Sequence, residues 1–123
     1  MNPFLQVALG GSAGAVARYG VHRAVTWHGP GFPAATVLVN VAGSFLMGLL
    51  AVAVAERLGG RYAPLLLTGL LGGFTTFSAF SLDALTLWER GQVWGTGLYV
   101  LVSVVASLLA VIAGLALGRG IWA

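Results

Sequence analysis

Charged residues interrupt this chain only at intervals, and the stretches between them are long and apolar. No Lys, Arg, Asp or Glu occurs in residues 1–17, 24–55, 62–82 or 91–118. A helix needs about 20 mostly apolar residues to cross the hydrocarbon core of a bilayer. The pattern therefore predicts an all-α, polytopic membrane protein that forms a single domain of four transmembrane helices. The four predicted spans are residues 3–24, 33–55, 62–88 and 94–118.

Composition agrees with a membrane protein. Of the 123 residues, 59% are hydrophobic and 7% are charged, and the mean hydropathy is +0.96. This leaves too little polar surface for a soluble domain. The chain has no cysteine, which excludes disulfides and thiolate metal sites.

The predicted ends of the spans carry turn residues and tryptophans. Residues 28–33 are predicted to form a loop, because two prolines and two glycines disfavour a helix there. The glycines of residues 56–61 suit the end of a helix. Tryptophans near the ends of membrane helices usually anchor them in the interface with lipid. They are Trp27, Trp88, Trp94 and Trp122.

The third predicted span contains an interruption. Residues 72–81 read GGFTTFSAFS, so paired glycines and four hydroxyls lie between apolar sequence on both sides. Backbone that leaves a helix at membrane depth must be buried in protein or line a water-filled cavity. We therefore predict a broken third helix, with its break near residues 72–78. Carbonyls freed by such a break can hold a monovalent cation, and two subunits meeting there could bury one without an acidic ligand.

Polar side chains also lie inside the second and fourth spans. Asn40 is near the middle of the second span, where it either bridges helices or faces a water-filled vestibule. Tyr99, Ser103 and Ser107 follow one another at four-residue steps, so their hydroxyls form one stripe along the fourth helix. Serines in membrane helices often bond back to the carbonyl four residues earlier, which is the alternative to a role in a pathway.

Two phenylalanines follow the predicted break. Phe77 and Phe80 are three residues apart, so they share a face if this part of the chain is helical. An aromatic ring edge carries partial positive charge and can face an anion, although packing is the ordinary role of such rings. Ser78 and two threonines lie beside them, and no acidic residue lies in the core of any span. Together these residues indicate a narrow path for an anion.

The arginines are balanced across the predicted membrane. Three fall on the side that holds both termini, and three on the other, so the positive-inside rule favours neither orientation. We predict dual topology and an antiparallel homodimer. A fixed topology is the alternative, which follows if Arg18 lies inside the membrane. The arginines are spread along the chain, so no nucleic-acid surface is predicted. They are Arg57, Arg61 and Arg119 on the first side and Arg18, Arg23 and Arg90 on the second.

Three motifs occur in order along the chain. Residues 10–19 read GGSAGAVARY, residues 39–48 read VNVAGSFLMG, and residues 72–81 contain the glycines, threonines and phenylalanines described above. Together they resemble the CrcB/Fluc family of fluoride ion channels. The resemblance covers all four spans at the family's chain length. It implies a dual-topology dimer with two parallel fluoride pores and a central buried sodium ion.

The resemblance also implies a physiological role and a set of site residues. Passive fluoride efflux across the cell inner membrane or plasma membrane would lower fluoride toxicity, and no enzymatic activity is expected. This chain has Ala79 at a position where many members of the family carry threonine. The implied pathway residues are Asn40, Phe77 and Phe80, with Arg18 at the aqueous approach and a hydroxyl track of Ser78, Tyr99, Ser103 and Ser107. The implied sodium ligands are the carbonyls of Gly72 and Thr75 from both subunits.

Two other classes of protein remain open. A small multidrug-type proton-coupled antiporter shares the length, the four helices and the dual topology. It should carry a carboxylate in its first helix, and residues 1–24 contain none. Asp83 is the only acid within a span, and we expect it to cap a helix or form a salt bridge near the interface. A non-transporting scaffold subunit would have no reason to keep polar groups on a common path.

Overall fold

A computed structural model describes residues 1–26 and 31–123 of the chain. The described residues form helices joined by short turns, with no strand among them, so the all-α prediction is confirmed. Trp27 and residues 28–30 of the predicted loop lie outside the described residues. In chain order the elements are α1 (Pro3–Thr26), α2 (Ala34–Ala53), a π-helical turn (Val54–Leu58), a 3₁₀ turn (Gly60–Tyr62), a π-helical segment (Pro64–Leu71), α3 (Gly72–Phe74), α4 (Phe77–Glu89) and α5 (Val93–Trp122).

Three stretches of the described chain are long and apolar enough to cross a membrane. They are Ala34–Leu58, Gly60–Glu89 and Val93–Trp122, and they correspond to the second, third and fourth predicted spans. The first predicted span is a single helix of 24 residues, α1. It is less apolar than the other three and is not among them. That α1 crosses the membrane stays a prediction.

The stretch Gly60–Glu89, which is the third predicted span, is broken, as the sequence predicts. Helix α3 ends at Phe74, and the next two residues are extended: Thr75 has φ −86° and ψ 159°, and Thr76 has φ −150° and ψ 118°. Helix α4 then begins at Phe77. The Thr76 hydroxyl accepts a hydrogen bond of 3.1 Å from the Ala79 amide, which caps the new helix.

Glycines end two of the helices. Gly59 has a φ of 85° and follows the π-helical turn, and its amide donates to the Val54 carbonyl at 2.8 Å. Gly91 has a φ of 79° in the turn between α4 and α5. A residue with a Cβ rarely adopts these positive φ values, so glycine suits both turns.

Helices α2 and α5 pack against each other with their backbones in contact. A Cβ added at Gly48 would collide with the backbone at Val111 and Leu115, and one added at Gly114 would collide with the backbone at Phe45. Gly48 and Gly114 therefore pack α2 against α5 within one subunit. The pair formed by α2 and α5 is one side of the fold.

Helix α1 packs in the same way on the third span. A Cβ at Gly10 would collide with the backbone at Leu65 and Leu70, and one at Gly14 would collide with the backbone at Leu70 and Phe74. These contacts place α1 directly against the helical turns that lead into the break. The break therefore lies between α1 on one side and the α2–α5 pair on the other.

We predict that Gly114→Ala destabilises the protein. Alanine in an exposed helix interior is normally more stable than glycine by about 1 kcal/mol. At Gly114 the added methyl group meets backbone that cannot move aside, and overpacking of this kind costs about 1–3 kcal/mol. Thermal unfolding in detergent measures the difference.

The matched control is Gly97→Ala in the same helix. Within the described residues, and apart from the neighbouring backbone of its own helix, no atom lies within 4 Å of a Cβ added there. This variant should unfold at the wild-type temperature or slightly above it. Equal unfolding temperatures for the two variants would contradict the packing described for α2 and α5.

Candidate functional site

The side chain of Asn40 holds the break in place. Its Nδ2 donates to the Thr76 carbonyl at 3.0 Å, and its Oδ1 accepts from the Thr76 amide at 2.8 Å. The amide therefore satisfies both backbone groups of an extended residue that has no helical or strand partner. The sequence left open whether Asn40 bridges helices or faces a cavity. The structure shows that it bridges α2 to the break and also lines a cavity.

The hydrogen bonds at the break release two backbone carbonyls from their helical donors. In an unbroken helix the Thr76 amide would donate to the Gly72 carbonyl, and the Ala79 amide would donate to the Thr75 carbonyl. Here the first amide donates to Asn40 and the second to the Thr76 hydroxyl. Both amides therefore donate to side-chain oxygens and not to backbone carbonyls. The Gly72 and Thr75 oxygens are consequently free of the bonds that a continuous helix would give them.

Arg18 also contacts the break. Its Nε donates to the Gly73 carbonyl at 3.1 Å, a bond that links α1 to α3 across 55 residues of sequence. The side chain is half-buried. The structure thus places Arg18 against the broken backbone.

A cavity of about 460 Å³ lies between α2, the break and α5. None of the described residues that line it carries a charge. Five of the eight side chains that the sequence assigns to the pathway line it, and Ser44, Thr75 and Thr76 add further hydroxyl-bearing residues to its wall. The five are Asn40, Phe77, Phe80, Ser103 and Ser107.

Two serines in the wall of the cavity have buried hydroxyls without a partner. Ser103 is 5% exposed, and neither its Oγ nor that of Ser107 has a hydrogen-bond partner within the described residues. Ser12 and Ser81 instead bond back to the carbonyl four residues earlier. A bond back to the carbonyl of their own helix therefore does not account for the serine hydroxyls of α5. A buried polar group without a partner costs about 1–3 kcal/mol, so each of these hydroxyls calls for an explanation.

The aromatic rings form a connected row beside the cavity. The ring centroids of Phe77 and Phe80 are 5.5 Å apart, which confirms that the two residues share a face of α4. Phe80 in turn lies 5.3 Å from the ring of Tyr99, and Tyr99 makes an edge contact with Phe32 at 5.4 Å. Phe77 is 78% exposed, whereas Tyr99 is fully buried. Phe77 is therefore the most exposed ring of this row.

Three pathway residues predicted from the sequence lie outside the cavity. The Ser78 hydroxyl is 3.3 Å from that of Thr76 at the start of α4. Arg18 reaches the break from α1. The Tyr99 hydroxyl donates its proton to Asp83 at 3.1 Å. Tyr99 thus lies on the same stripe as the two serines, but its hydroxyl points to a carboxylate.

Asp83 has different partners from those that the sequence predicts. Its Oδ2 accepts from the Thr36 hydroxyl at 2.7 Å as well as from Tyr99. The carboxylate therefore links α4 to α2 and α5, and it does not cap a helix. Thr36 is not among the residues predicted from the sequence, and neither is His22, whose Nε2 lies 3.3 Å from the Thr36 hydroxyl. Thr36 lies four residues before Asn40, and this helical spacing could have placed it on the same face.

Comparisons with known proteins all point to one family. Residues 5–115 match the family described as "CrcB-like protein, Camphor Resistance (CrcB)". The chain is 61% identical over 122 residues to a protein of Paracoccus denitrificans, covering 99% of this chain and 98% of that one. It is 56% identical over 121 residues to a protein of Cereibacter sphaeroides, covering 98% and 97%. A protein of Agrobacterium fabrum is 52% identical over 119 residues, covering 94% and 95%. Each is named "Fluoride-specific ion channel FluC".

We predict that Asn40→Leu loosens the break before it affects the helices. The change leaves both backbone groups of Thr76 without their partner, at a cost of about 1–3 kcal/mol. The Thr76 amide should then exchange its hydrogen about tenfold to a hundredfold faster, as measured by hydrogen exchange. The Arg90 amide, which is bonded to the Thr86 carbonyl at the far end of α4, is the internal control. Unchanged exchange at Thr76 would show that Asn40 does not hold the break.

Proposed function

The chain belongs to the CrcB family, and on this premise we propose that it is a fluoride-selective ion channel. In this proposal fluoride leaves the cell passively, through a path that includes the cavity between α2, the break and α5. The names of the relatives describe ion channels and not enzymes, in agreement with the sequence prediction. A channel of this kind would lower the fluoride that accumulates when hydrogen fluoride enters and ionises.

The buried serine hydroxyls are the observation that carries the proposal. Ser103 and Ser107 hold unused donors in the wall of a cavity that carries no charge on its described lining. An anion that enters from water must replace its hydration with such donors. A carboxylate in the wall would favour a cation instead. The chemistry of this lining therefore supports a path for a small anion.

Asn40 and the phenylalanines add weaker donors to the path. The Asn40 amide has a second N–H beyond the one that bonds to Thr76. The ring edges of Phe77 and Phe80 carry partial positive charge, which attracts an anion without binding it as tightly as a charged group would. Weak, repeated contacts suit conduction, because an ion must leave each site as readily as it enters. Ser78, Tyr99 and Arg18 remain proposed members of the same path.

The carbonyls of Gly72 and Thr75 fit the sodium ion that the family resemblance implies. Both have lost their helical donors, as described above, and neutral carbonyl oxygens suit a monovalent cation. Among the described residues, no group of three His, Cys, Asp or Glu side chains could hold a metal ion. Gly72 is exposed, so a second copy of the chain could approach it. We propose that two copies hold one sodium ion with these oxygens, which would add positive charge near the path.

The proposed assembly is an antiparallel homodimer of four-span subunits with two pores, inserted in the cell inner membrane or plasma membrane in contact with lipid. In support of this assembly, the arginines are balanced between the two sides, and Phe77, which lines the cavity, is exposed in the single chain. The antiporter alternative gains no support from α1, which carries no acidic residue. Fluoride flux independent of a proton gradient would separate the two functions.

We predict that purified protein in liposomes releases fluoride but not chloride, and that Phe80→Ile lowers the fluoride flux. Loss of the ring edge removes one weak contact with the anion, and a loss of about 1.4 kcal/mol would reduce the flux about tenfold. A fluoride electrode measures the flux, with and without sodium. The control is Phe4→Ile, because Phe4 is 86% exposed near the start of α1, away from the cavity. Equal flux from both variants would remove Phe80 from the path.

We also predict that Ser103→Ala separates stability from conduction. The variant loses a buried hydroxyl that has no partner in the described structure, so its unfolding temperature should stay the same or rise. The same change removes a donor from the path, and fluoride flux should fall about tenfold or more, since hydrogen bonds to charged groups contribute about 1.5–3 kcal/mol. Ser12→Ala, at an exposed hydroxyl bonded to the Ala8 carbonyl, is the control. Unaltered flux in Ser103→Ala would contradict the role of the hydroxyl.

A further inference from the structure

A row of polar side chains joins four helices beside the hydroxyl stripe. His22 Nδ1 lies 3.0 Å from the Arg18 carbonyl oxygen, and His22 Nε2 lies 3.3 Å from Thr36 Oγ1. Thr36 Oγ1 lies 2.7 Å from Asp83 Oδ2, to which the Tyr99 hydroxyl also donates. Thr36 is 2% exposed and Tyr99 is fully buried. We refer to His22, Thr36 and Asp83 as the relay.

The positions of the protons in the relay follow from these contacts. A backbone carbonyl can only accept, so His22 Nδ1 must carry a proton. Thr36 has one hydroxyl proton, which can point to Asp83 or to His22 but not to both. If it points to Asp83, then His22 Nε2 must carry a proton; if it points to His22, then Asp83 must carry one. A neutral imidazole beside an ionised carboxylate would leave one contact with two acceptors facing each other.

We propose that the relay is a proton-binding site that holds one proton shared between His22 and Asp83. In one form His22 is a cation and Asp83 an anion. In the other, the His22 Nε2–H bond has broken, Thr36 Oγ1 has received that proton, and the former Thr36 hydroxyl proton is on Asp83 Oδ2. The number of protons is the same in both forms. The net charge of the relay is zero in both.

Few other ionisable groups surround the relay in the described part of the chain. On α1, Arg18 lies one turn before His22, with its guanidinium bonded to a backbone carbonyl of α3, and Arg23 is exposed. Helix α2 contains no ionisable residue. Helix α4 contributes Asp83, and α5 contributes Tyr99. Loss of the shared proton therefore leaves one additional negative charge on the carboxylate.

The consequence for transport rests on the proposed function. Tyr99, which donates to Asp83, lies one helical turn from Ser103 in the wall of the cavity, a rise of about 6 Å. A unit charge about 10 Å from an anion, at an effective dielectric constant of about 20, changes the occupancy of that anion by about tenfold. The relay is neutral while it holds its proton and negative after it loses it. Fluoride flux should therefore fall as the pH rises.

NMR titration tests the shared proton without a transport measurement. The chain has two histidines and a single aspartate, so tag-free His28→Gln protein gives one imidazole ¹⁵N pattern, from His22, and one aspartate carboxyl ¹³C signal, from Asp83. If the two groups share one proton, both signals change together at a single pH midpoint. Thr36→Val removes the bridging oxygen and should separate the midpoints, and Thr36→Ser should restore a single midpoint. Two separate midpoints in the parent protein would overturn the proposal.

Fluoride flux from liposomes tests the consequence for transport, with protein-free vesicles at each pH to subtract leakage. Wild-type flux should fall about tenfold across the titration. Asp83→Asn should give the high flux at every pH, and His22→Gln, which keeps the carboxylate without its proton source, should give the low flux at every pH. Glu89→Gln, at an exposed acid at the end of α4, should keep the wild-type profile. A wild-type profile in His22→Gln would overturn the link between the relay and flux. Absence of flux from the wild type would overturn the proposed function, and the NMR titration alone would then decide whether the relay shares a proton.

Discussion

The pairing of one side-chain amide with one extended residue determines most of what is distinctive in this structure. Asn40 reaches from the middle of α2 and bonds both backbone groups of Thr76. Without such a partner, two residues of open backbone in an apolar environment would be too costly to keep, and the helix would close. With it, the chain can turn between α3 and α4 and release carbonyls on one side. The same contact places Phe77 and Phe80 at the cavity.

Under the proposed function, the wall of the cavity favours transport at a cost in stability. The two buried serines of α5 have no partner in the described chain, and two apolar residues of similar size would pack there at lower cost. Folding alone gives no reason for these two hydroxyls. Under the proposed function, a passing ion supplies the missing partner for part of the time. The wall then resembles a binding site that an ion occupies only while it passes.

The sequence predicts the local features of the site well and the tertiary ones poorly. Paired glycines followed by threonines predict the break, because these residues disfavour a continuous helix and offer a cap. The spacing of Phe77 and Phe80 predicts a shared face, since helical periodicity alone decides it. The partners of Asp83 could not be predicted, because Thr36 and Tyr99 are 47 and 16 residues away from it in sequence. For the same reason the direction of the Tyr99 hydroxyl, toward the carboxylate and away from the serines, appears only in the structure.

The close approach of α2 and α5 has a consequence for how finely the cavity is sized. One wall of the cavity comes from each of these helices, and the two are held at a distance fixed by main-chain atoms touching at Gly48 and Gly114. Side chains change rotamer within nanoseconds, whereas two backbones in van der Waals contact have no comparable freedom. Two walls of the cavity are therefore held apart by the least mobile part of the molecule. Under the proposed function, this fixed spacing limits the size of the ion that can pass, and it depends on the absence of a methyl group at two positions.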